Sequence, residues 1–67
     1  VNMQYVFVIE NNQAKDAYEF HPEQGFMTKK EEWIGVAVGE IENRLKTQYA
    51  SVSKLREIAN EIVYEVK

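Results

Sequence analysis

Cysteine is absent from the sequence. That excludes a disulfide framework and any zinc site built on thiolates. Glycine and proline are scarce, at three and one, so there is no flexible or proline-rich linker and no domain boundary. Long apolar runs are missing too. The longest, Tyr5 to Ile9, falls far short of the ~20 residues of a membrane span. No basic leader precedes a long apolar stretch, so a cytoplasmic, reducing compartment is expected and no membrane partner. Met3 fits a natural start, with Val1-Asn2 as added residues. There is no glycine-rich phosphate loop, because Gly35 and Gly39 are spaced as GxxxG rather than GxGxxG.

What is present fits one small domain, residues 1–67. A chain of this length buries only roughly 60% of the surface it exposes when unfolded. With neither disulfide nor zinc to staple it, a partner chain becomes a candidate source of stability. The net charge is −3, which disfavours blanket attraction to nucleic acid or anionic lipid. The charges are unevenly spread. Between residues 44 and 56 stand Arg44, Lys46, Lys54 and Arg56 with no acid among them, a basic island in an acidic chain.

Met3 to Glu10 reads as a strand, with Met3, Tyr5, Phe7 and Ile9 on one face and Val6 and Val8 on the other. Asn11-Asn12-Gln13 follows, and asparagine tolerates the positive φ of tight turns. Residues 15–21 read as a second strand carrying Tyr18 and Phe20 on one face, closing a β-hairpin; Pro22 ends it. Thr28 to Glu31 has capping-box spacing. From there Ile34, Ala37, Val38, Ile41, Leu45 and Tyr49 form one helical stripe, supported by Glu40→Arg44 and Glu42→Lys46 pairs. Ser51 or Ser53 would cap a last helix, in which Leu55, Ile58, Ala59, Ile62, Val63 and Val66 recur at helical spacing. The expected fold class is therefore α+β: an N-terminal antiparallel β-hairpin followed by two antiparallel helices, ββαα. The alternative is a three-stranded βββαα order if residues 33–38 are extended.

Catalytic chemistry finds little support. No cysteine nucleophile exists, and Ser51, Ser53 and Thr28 read as helix caps. Glu19, His21 and Glu23 alternate in a way that suits a metal, but Pro22 interrupts the strand between them. An exposed histidine flanked by solubilising acids is the expectation there. No catalytic residue, metal or cofactor is assigned, and the protein is read as non-enzymatic.

Binding has more support. Val6 and Val8 would face outward from a two-stranded hairpin, whose free edges invite strand addition. Gly35, Val36 and Gly39 would form a smooth patch on the first helix. These five residues are the candidate self-association surface of a small homodimeric protein-interaction module. Glu57, Glu61, Tyr64 and Glu65 would line the outer side of the last helix and could face another protein. The alternative is a nucleic-acid-binding module in which Arg44, Lys46, Lys54 and Arg56 meet at the helix–helix turn.

Overall fold

A computed structural model describes residues 2–67; Val1 lies outside the described residues. Strand β1 spans Met3–Glu10, β2 Gln13–His21 and β3 Phe26–Lys29. A short 3-10 turn at Glu31–Trp33 leads to helix α1, Val38–Gln48. Strands β4, Val52–Ile58, and β5, Glu61–Val66, complete the chain. The strands form one five-stranded sheet in the order β3-β2-β1-β5-β4, with every neighbouring pair antiparallel.

The class is α+β, but neither the ββαα nor the βββαα order survives. The last helix is instead the hairpin β4–β5. Its apolar residues satisfy helical spacing, yet Ile62, Tyr64 and Val66 also alternate, and all three are buried on the helix side of the sheet. Leu55 and Ile58, which a buried helical stripe would have covered, are 49% and 64% exposed. What decides the conformation is β1. Left with β2 alone it would expose a full row of unpaired amides and carbonyls; β5 satisfies them in an unbroken register from Met3↔Val66 to Val8↔Glu61. Ser51 is no helix cap. It exchanges two backbone hydrogen bonds with Lys67, at 2.9 and 3.1 Å, extending the β4–β5 ladder.

The first helix is also shorter than its pattern. Thr28 lies in β3 opposite Glu19 rather than in a capping box. Residues 33–38 are neither helical throughout nor a strand, because Gly35 takes φ +92°, which right-handed helix forbids. Its amide bonds to the Ala14 carbonyl at 2.8 Å, and the Ala14 amide returns to Val36 at 2.9 Å. The connection is thereby clipped to the start of β2, with a single bridge at Gln13↔Ala37. The remaining stripe holds: Ile41 and Leu45 are fully buried and Tyr49 packs against the core.

Both elements outside the sheet pack on one of its faces. Trp33 is driven down between Tyr5 and Phe7, its ring 5.8 and 5.2 Å from theirs in edge-on geometry. Ala14 and Ala17, fully buried, leave room for it. Ile41 and Leu45 complete this core over Ile62, Tyr64 and Val66. No helix among the described residues is long and apolar enough to cross a membrane.

The tight turns show where local geometry costs free energy. Asn11 and Asn12 both take positive φ, 57° and 62°, as a two-residue hairpin turn with right-handed twist requires. At the β4–β5 turn Ala59 takes φ 55° without asparagine's tolerance for that region. Ala59→Gly should therefore raise stability by about 0.5–1 kcal/mol in urea unfolding; an equal loss would mean the turn is not formed as described.

Candidate functional site

In an antiparallel sheet, directly opposed residues share a face. The registers therefore define the face opposite the helix. Its middle row runs Lys29, Tyr18, Val6, Val63, Arg56 from β3 to β4. On one side lie Met27, Phe20, Gln4, Glu65 and Ser53; on the other, Asp16, Val8, Glu61 and Ile58. The 3-10 turn and α1 both bury on the opposite face, so among the described residues no helix overlies this one. Val63 is 2% exposed and is not part of the helix-side core cluster. Val6, Val8, Tyr18 and Phe20 are half-buried, and Met27 is 52% exposed at the border.

Charges on this face are largely matched within it. Lys29 Nζ sits 3.4 Å from Asp16, and Arg56 reaches Glu61 at 2.8 Å. Glu65 accepts a hydrogen bond from Asn2 at 3.3 Å.

Val6 and Val8 thus lie where an outward-facing role requires. They do not sit on a free edge: β1 is the central strand, bonded on both sides. The rest of the candidate self-association surface is elsewhere. Val36 is buried in the helix-side core, Gly35 turns the chain beside Ala14, and Gly39 lies in the first turn of α1. The acidic stripe also disperses. Tyr64 is a core residue, Glu57 pairs with Lys54 on the helix side, and Glu61 and Glu65 belong to the open face. Sequence reasoning missed Tyr18, Phe20 and Val63 as companions of Val6; the uninterrupted apolar run Ile62-Val63-Tyr64, which fits a strand buried on both faces, was the available signal.

The basic island divides across the sheet. Lys54 opposes Tyr64 on the helix side, where its hydrogen bond to Glu57, 2.9 Å, holds its pKa above the usual lysine value. Arg56 opposes Val63 on the open face. Lys46 pairs with Glu42 at 3.0 Å, and Arg44 stands exposed on the helix. The four do not meet at one turn.

A polar chain runs along the helix side of the sheet. Tyr5 donates its hydroxyl hydrogen to Glu19 Oε2 at 3.0 Å, so the Tyr49 hydroxyl, also 3.0 Å away, donates to Tyr5. His21 Nε2 lies 2.8 Å from Glu19 Oε1 and the ring stacks on Phe26 at 4.5 Å. An ionised Glu19 only accepts, so Nε2 carries the hydrogen. Burial, followed by the bonds to Tyr49 and Glu19, pushes the Tyr5 hydroxyl up and keeps it protonated. Burial alone would raise the Glu19 pKa; the hydrogen bonds from His21 and Tyr5 and the charge of Lys30 outweigh it and hold the carboxyl below its ordinary value. The chain ties the C-terminal end of α1 to β2. Glu23 is no part of it, and among the described residues no three histidine, aspartate or glutamate side chains gather to hold a metal ion.

A hollow of about 240 Å³ opens where the Asn11-Asn12 and Ala59-Asn60 turns meet the start of α1, over Ile9, Val38 and Ile62. It falls below the ~300 Å³ of ordinary small-molecule sites, and no histidine or hydroxyl side chain lines it. Comparison with protein-family models, curated proteins and solved structures finds no match to this chain.

Because the Glu19 pKa is lowered by folding, its contribution to stability is fully present above the unfolded carboxylate value near ~4.3 and is lost as pH falls through the folded value. Glu19→Gln should cost about 1 kcal/mol at neutral pH, with the gap to wild type closing as the pH drops below ~4. A gap in urea unfolding that stays constant across that range would remove Glu19 from this role.

Proposed function

We propose that this chain is a non-enzymatic protein-interaction module and that it works through the open face of its sheet. The observation that carries the reading is the middle of that face: Val6, Val8, Tyr18 and Phe20 are contiguous and half-buried beside the buried Val63, and no helix among the described residues overlies them. An antiparallel sheet with one face packed on a core ordinarily turns polar residues to water on the other. A contiguous apolar area on such a small protein is the usual mark of a binding surface. Aromatic side chains beside valines offer a partner large apolar area at low cost in side-chain entropy.

Association along sheet edges is poorly served. Strand β3 has four residues, and β4 carries a register break between Lys54 and Arg56, both charged. Short, charged or bulged edges resist strand addition.

Affinity capture from a cell extract tests the reading when wild type is run beside Val8→Lys on the open face and Ile34→Lys, whose parent residue is exposed near the helix. Proteins held by wild type and Ile34→Lys, further copies of this chain included, should fall by about tenfold or more with Val8→Lys. Retention by Val8→Lys with loss in Ile34→Lys would move the site to the helix side.

A further inference from the structure

We infer that the occupant of the open face is a second copy of the same chain, packed face to face about a two-fold axis so that two sheets enclose a shared apolar layer. The inference rests on the reading above and names its partner.

Three observations carry it. First is charge. A partner selected by opposite charge needs uncompensated charges to meet, but Lys29 and Arg56 are matched on the face by Asp16 and Glu61. Among the described residues Glu65, bonded only to Asn2, is the one charge on the face without an opposite partner, so the border is nearly neutral around an apolar middle and an identical face answers that chemistry with little repulsion. Second is area. Strands about 4.8 Å apart with side-chain rows about 6.7 Å apart, three rows deep on four strands and two on β3, give roughly 450 Å² per copy. The pair therefore buries roughly 900 Å², the size of a weak, reversible interface. Third is closure. A two-fold pairing of the same patch uses it up on both copies and leaves nothing for further growth, while the guarded edges of β3 and β4 offer no competing route. Two sheets meeting this way pack about 10 Å apart with interdigitated side chains, as in a sandwich.

The expected affinity is micromolar, and the test is the mass in solution from about 10 µM to about 1 mM, by sedimentation equilibrium. Wild type and Ile34→Lys should move from monomer to dimer over that range. Val6→Lys and Tyr18→Lys should weaken the dimer by about 100-fold or more while the near-ultraviolet signal of Trp33 reports a folded core. Should either variant lose that signal, a mixed sample of labelled and unlabelled wild type gives the answer unaided, because contacts between copies should join the methyls of Val6 and Val8 to the ring of Tyr18. Wild type that stays monomeric to about 1 mM, or a dimer without those contacts, overturns the inference. Either result leaves the open face available to a different protein, which the capture experiment scores separately. Failure of capture alongside an intact dimer counts only against a heterologous partner.

Discussion

Everything in this fold depends on β1 being bonded along both edges. Its residues Tyr5 and Phe7 carry the centre of the core, and its other side carries the centre of the open face. A strand so rich in Tyr, Val, Phe and Ile is a hazard at an edge, since unpaired backbone beside exposed apolar side chains is a template for aggregation. Pairing with β2 removes half of that hazard through a local turn. Pairing with β5 removes the rest by bringing the two ends of the chain together, with Met3 opposite Val66. The bond from the Ile9 amide to the Asn60 carbonyl, 2.7 Å, fixes the other end of the same seam.

Making β1 central has a consequence on each face. On one, a single helix of eleven residues and the Trp33 turn suffice to seal the aromatic cluster. Ile41 and Leu45 do the work of a full helical layer only because Tyr64 and Trp33 fill the space around them. The Tyr49–Tyr5–Glu19–His21 chain then pins the C-terminal end of the helix to β2 through groups that are all hydrogen-bonded. On the other face no helix or strand among the described residues supplies a cover. That uncovered face, rather than any local motif, is what the proposed association rests on.

The readable parts of the sequence were those governed by neighbours. Alternation in Met3–Glu10 and the two asparagines after it specify the first hairpin, and the 41, 45, 49 spacing specifies the buried side of α1. The outward placement of Val6 and Val8 followed from the same alternation. The C-terminal third was misread because its apolar residues fit two periods at once, and the choice between them is made by an unpaired strand at the far end of the chain. Its turn carries no glycine, with alanine held at positive φ, so the local hairpin signal is faint. The candidate surface suffered accordingly. A helical period for β5 separates Val63 from Val6, places Gly35 and Gly39 on a helix face they do not form, and makes the cations converge on a helical turn that does not exist.

The central place of β1 is most directly tested by amide hydrogen exchange along that strand. A strand bonded on both sides protects consecutive amides, so the amides of residues 4–8 should all exchange at the slowest rates in the molecule, set by global unfolding. Protection of every second amide only, with the others exchanging as freely as those of an edge strand, would contradict the pairing with β5 and the account built on it.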